Sequence, residues 1–168
     1  MRALAAAAAG LLAAGCGGGQ RWRTYQSPSH AYRVDMPGTP EPTLERGDGG
    51  EVTEMATFSA GDMTYMTASI KGLDARLLGR PELVAEALTR AVMGGSDAAI
   101  TPAGQRTREG VTTLDFELSR PTGKPAKGRL RALLDRNSGL FFVLLIVREG
   151  AAMPGGGRFF SSFEITQP

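Results

Sequence analysis

Leu140-Phe141-Phe142-Val143-Leu144-Leu145-Ile146-Val147 is an unbroken run of eight apolar residues. Side chains of an extended strand alternate between two faces, so this run is apolar on both and must be covered on both. As a helix it falls far short of the about 20 residues needed to cross a bilayer. Asn137-Ser138-Gly139 directly before it is a turn signal. The run is therefore expected in the middle of a sheet with helices above and below.

The segments before it read as its sheet partners. Ile100 to Arg108 turns at Glu109-Gly110 into Val111 to Leu118, where Leu114, Phe116 and Leu118 alternate with Thr113, Asp115 and Glu117. Pro121 to Pro125 is a loop, and Lys127 to Asp135 is the third strand of a four-stranded meander. Upstream, Val52 to Phe58 and Met63 to Ile70 flank the hairpin signal Ala60-Gly61-Asp62. Ala31 to Met36 alternates until Pro37-Gly38-Thr39-Pro40, where the prolines end strand pairing. Glu41 to Gly50 is polar and glycine-rich and reads as a loop.

One strong helix interrupts the strands. Pro81 suits a first turn, and Leu83, Val84, Ala87, Leu88, Ala91 and Val92 share a face before Gly94-Gly95. Glu82, Glu86 and Arg90 lie opposite, with Glu86 and Arg90 spaced to pair. A second, short helix is expected near Met153 to Ser162, weakened by Gly155-Gly156-Gly157 and carrying Phe159, Phe160 and Phe163. No internal repeat or long linker divides residues 22–168, which read as one globular domain. The expected class is α+β: an antiparallel sheet of about six to seven strands with helices on both faces.

The N-terminus has a different character. Met1-Arg2 carries a positive charge, Ala3 to Ala14 is apolar but too short to span a membrane, and Ala13-Ala14-Gly15 leads into Cys16. Residues 1–15 read as a signal peptide. The junction resembles the lipobox of bacterial lipoproteins, with Leu12 one position earlier than the usual leucine. That resemblance implies diacylglyceryl attachment to Cys16, cleavage before it and acylation of its new amino group. Several chains are needed because, at about 0.8 kcal/mol per buried CH₂, one chain binds a membrane only marginally. Residues 16–21 then form the lipidated cysteine and a glycine-rich tether. Gly17 after the cysteine resembles lipoproteins sent on to an outer membrane. Trp22 reads as the start of the first strand, while Arg21 and Arg23 beside it offer an alternative contact with anionic headgroups.

Tyr32-Arg33-Val34-Asp35-Met36-Pro37-Gly38-Thr39-Pro40, the middle helix, the meander and the closing Phe159-Phe160-Ser161-Ser162-Phe163-Glu164-Ile165 resemble the PsbP-like fold. Photosystem extrinsic proteins, a small Ran-binding import factor and many bacterial lipoproteins share it. The resemblance covers roughly Tyr25 to Ile165 and implies an α/β/α sandwich that binds or stabilises other proteins. It carries over no catalytic residue.

Function is narrowed mainly by what the composition lacks. A net charge of +2, from 19 basic and 17 acidic residues, does not mark a nucleic-acid binder. One Cys and one His exclude an internal disulfide and a His/Cys metal cluster, so no metal and no cofactor are expected. Lys127, Arg129 and Arg131 share a strand face, with Arg120 and Lys124 in the adjoining loop, making a candidate patch for an acidic protein, lipid headgroups or an anionic polymer. The same charges would also keep an edge strand soluble. His30, flanked by Ser27 and Ser29 and followed by Asp35, offers the parts of a hydrolase site without a Gly-x-Ser-x-Gly elbow. The expectation is a lipid-anchored envelope protein, non-catalytic and protein-binding. The alternatives are a small-ligand carrier with a pocket between sheet and helix and, more remotely, a hydrolase using His30.

Overall fold

The computed structural model describes residues 21–29, 31–93 and 98–166. The expected signal peptide at residues 1–15, Cys16, His30 and the helix stop expected at Gly94-Gly95 lie outside the described residues. The main sheet has seven antiparallel strands in the order β3-β4-β5-β9-β8-β7-β6. In chain order these are β3 (Glu41–Arg46), β4 (Val52–Ala60), β5 (Met63–Lys71), β6 (Ala99–Arg108), β7 (Val111–Arg120), β8 (Ala126–Asp135) and β9 (Leu140–Glu149). The apolar run is β9, fourth of the seven. Phe141, Val143 and Leu145 face one core while Leu140, Phe142, Leu144 and Ile146 face the other.

One face is covered by α2 (Pro81–Met93), which follows the short α1 (Ala75–Leu78). Val84, Ala85 and Met93 of α2 pack on Met66, Ile70, Phe116, Leu130 and Leu145. The buried stripe differs from the one read in the sequence, for Leu83 is exposed and Ala85 and Thr89 are buried. Thr89 fits there because its Oγ1 donates to the Ala85 carbonyl at 2.8 Å, which pairs its hydroxyl inside the core. On the outer side Arg90 Nη2 donates to Glu86 Oε1 at 2.6 Å, as the spacing anticipated.

The opposite face corrects the expectation of helices on both sides. A small sheet in the order β1-β2-β10 covers it, formed by β1 (Arg23–Gln26), β2 (Tyr32–Met36) and β10 (Glu164–Ile165). Tyr32, Val34 and Met36 of β2 point into the second core, joined by Phe159 from the five-residue α3 (Gly157–Ser161). The glycine run delays helix formation to Gly157, and α3 is only about one turn long around Phe159, so a sheet does most of the covering. Tyr32 stacks on Phe163 at 5.5 Å between ring centroids and meets Phe142 edge-on at 5.8 Å, in the offset geometries aromatic pairs favour.

One further reading changes, and the turn expected at Glu109-Gly110 is present. Glu41 to Arg46 is strand β3, paired with β4 from Glu41↔Thr57 to Arg46↔Val52, although five of its six residues are exposed. Its backbone completes the edge of the sheet while its side chains bury almost nothing, so no periodic signal marked it. The β6–β7 turn is tighter than ordinary residues favour. Glu109 has φ 52 and Gly110 φ 84, the two positive angles of a two-residue hairpin turn.

Candidate functional site

The small sheet covers only part of the second face, and the edge of that cover forms the site. Beside it lies a groove of about 300 Å³ lined by Trp22, Asp62, Met63, Tyr65, Arg148, the backbone of residues 155–157 and Arg158. Trp22 directly precedes β1 and meets Tyr65 edge-on at 6.2 Å. Tyr65 in turn meets Phe159 at 5.6 Å, so the groove wall continues into the second core. Burial, and then the nearby Asp62 carboxylate, raise the Tyr65 phenol above its ordinary pKa, which keeps it neutral.

Two arginines frame the opening. Arg158 donates from Nε and Nη2 to Asp35 Oδ2 at 3.0 and 2.8 Å, and its guanidinium lies 5.0 Å over the Trp22 ring. The Asp35 carboxyl is held below the usual carboxylate range, first by the hydroxyl of Thr24 and then by Arg158. Arg148 donates from Nε to Asp62 Oδ2 at 2.7 Å. Gly156 is needed between them because a Cβ there would come within 2.7 Å of Ile146 Cδ1 and of the Phe160 ring.

The candidate basic patch is divided by the fold. β8 lies between β7 and β9 and is no edge strand, which removes the solubility reading of its charges. Arg120 faces the other way: it donates to the Met93 carbonyl at the end of α2 and, at 2.8 Å from Nη2, to the Lys124 carbonyl. It therefore completes a helix C-terminus, where a cation is favoured. Arg131 is also committed. Its Nε donates to Asp115 Oδ1 at 2.6 Å, and its guanidinium lies 5.2 Å from the Phe160 ring centre. Arg106 Nη1 reaches the second Asp115 oxygen at 3.1 Å. Lys127 and Arg129 remain on the open sheet face, in register with Arg148 and Ile146 of β9 respectively. Lys124 is exposed in the loop.

His30 lies outside the described residues, but its proposed companions have other duties. Ser27 Oγ accepts the backbone N–H groups of Ala31 and Tyr32 at 2.9 and 3.3 Å, closing the turn into β2. Ser29 Oγ donates to Glu54 Oε2 at 2.7 Å. The sequence reading missed Arg148, Arg158 and Tyr65. The available signal was Arg148 itself, a charge two residues beyond Ile146 and so on the same face of a strand otherwise buried there.

Neither a protein-family model nor a curated protein sequence matches the chain. Among solved structures it is similar to the Saccharomyces cerevisiae Ran-binding protein Mog1p, with a TM-score of 0.55 and 10% identity, over 88% of this chain and 96% of that one. At that identity the likeness concerns the fold alone.

Proposed function

We propose that this chain is an envelope lipoprotein, anchored through Cys16 and held on the outer membrane where one exists, whose single domain binds a protein partner without catalysing a reaction. The observation that carries the binding role is the uncovered half of the main sheet. The second core reaches β8 at Leu133 and the start of β7 at Val111, while β6 at the edge has nine of its ten residues exposed, and Glu117 and Arg129 point outward beside it. Unpaired strand edges and charged sheet faces are surfaces on which another chain docks. The fold likeness to a Ran-binding protein supports a binding role and a place in the PsbP-like group, in which a Ran-binding import factor is found. For the anchor, the support is the run of small residues before Cys16 and the glycines after it.

Photo-crosslinkers placed at Thr101 and Arg129, in the intact protein in its own membrane, test the reading. A discrete adduct from both sites, missing from a control at Glu82 on α2, is expected. Equal labelling at all three sites would overturn the partner surface. Cys16→Ser should release a folded domain from the membrane, and retained association would overturn the anchor. The carrier alternative would use the groove beside α3, but Asp62, Gly155, Gly157 and Arg158 along its wall are exposed, which favours a surface contact over an enclosed ligand.

A further inference from the structure

We propose that the groove around Trp22 seats anionic phospholipid headgroups of the membrane that holds Cys16, so that the domain rests on that membrane by its Trp22 end. The inference rests on the anchored reading above. Six peptide steps separate Cys16 from Trp22, a reach of about 20 Å at full extension. Wherever the anchor sits, this end of the domain stays within that distance of the headgroups, at a high effective concentration.

The chemistry of the end matches such a surface. Tryptophan favours the headgroup layer, where its ring is half apolar and its N–H is wet. Arg148 uses only its Nε on Asp62, and Arg158 uses Nε and Nη2 on Asp35, so each guanidinium keeps donor capacity toward the opening. Their side chains are 41% and 54% exposed. Lys127 stands opposite Arg148 in register, and Arg21 and Arg23 flank Trp22 with exposed side chains. Five cations against the two carboxylates of Asp35 and Asp62 leave this end positive, and guanidinium groups suit phosphate oxygens. An acidic protein would find the same charges, but the tether keeps lipid, not protein, permanently at hand.

Trp22 is the single tryptophan of the chain, so its fluorescence reads the contact directly. The full lipidated protein is reconstituted in neutral phosphatidylcholine vesicles and in vesicles one-third phosphatidylglycerol, and acrylamide quenching of Trp22 is compared. Flotation with the neutral vesicles reports the anchor alone. The expected result is about twofold weaker quenching in the anionic vesicles, abolished by high salt and by Arg148→Gln. Lys127→Gln, which breaks no ion pair among the described residues, should weaken the protection in part. Equal quenching in both vesicles, with flotation intact, overturns the headgroup site and leaves the anchor standing. Failure to float with neutral vesicles overturns the anchored reading and this inference with it. Protection by soluble polyglutamate but by neither vesicle assigns the groove to an acidic protein and also overturns the inference.

Discussion

Arg131 and Asp115 face each other across β8 and β7, with Nε to Oδ1 at 2.6 Å and Nη2 to Oδ2 at 3.4 Å, a two-pronged pair that only 21% and 28% side-chain exposure leaves open to water. The same carboxylate accepts Arg106 at 3.1 Å, so three strands are tied through one acid. A residue chosen as part of a ligand patch is therefore a structural cross-tie.

Asp115→Asn should destabilise the fold by about 1–2 kcal/mol, because it leaves a half-buried guanidinium short of its partner while an exposed pair would cost less. Arg129→Ser, on the open face, should cost under about 0.5 kcal/mol. Urea unfolding followed by circular dichroism separates the two, and equal losses would refute the assignment of Arg131 to the scaffold.

Tyr32 is fully buried, and its phenol lies beside the Thr67 hydroxyl without proper hydrogen-bond geometry for either. Tyr32→Phe should thus be neutral or stabilise by up to about 1 kcal/mol. Burial raises the folded pKa of Tyr32 above its ordinary 10.0, so the neutral phenol's stability is intact below about pH 10 and drains away as pH rises beyond it. Alkaline titration of wild type and variant by near-ultraviolet absorbance and unfolding midpoint should show the variant resisting high pH better.

Asp35 works in the opposite direction. Its folded pKa lies below 3.8 through Thr24 and Arg158, so its contribution is present above about pH 4 and is lost as pH falls through the folded value. Asp35→Asn should reproduce the acid state at neutral pH by freeing Arg158 from its carboxylate. The emission of Trp22, which lies under that guanidinium, is the readout. An unchanged spectrum in the variant would show that Asp35 does not position Arg158.

Gly128→Ala probes the packing of β8 on β9. A Cβ there would lie 2.8 Å from the Ile146 carbonyl oxygen and 3.3 Å from Leu118 Cδ1. Since the nearest atom is backbone in the central strand, relief requires a strand shift, and a loss of about 1–3 kcal/mol is expected. Thermal unfolding measures it, and a neutral result would mean β8 has slack at this position.

Local periodicity was enough to determine much of this protein. The double-sided burial of β9, the meander, the β4–β5 hairpin and the existence of α2 follow from alternation and turn residues, because those signals report which faces of an element must leave water. The lipobox-like junction is likewise a matter of adjacent residues. What covers the second face was undetermined, since a buried strand requires apolar neighbours without naming them. Only tertiary packing selected β2 and its small sheet over a long helix. The same holds for the candidate sites: period-two spacing grouped Lys127, Arg129 and Arg131 correctly, yet Arg120 went to the opposite face and Arg131 to Asp115. Trp22 comes from the start of the domain, Tyr65 from β5, and Arg148 and Arg158 from its last long strand and last helix, and only the closed fold brings them to one groove.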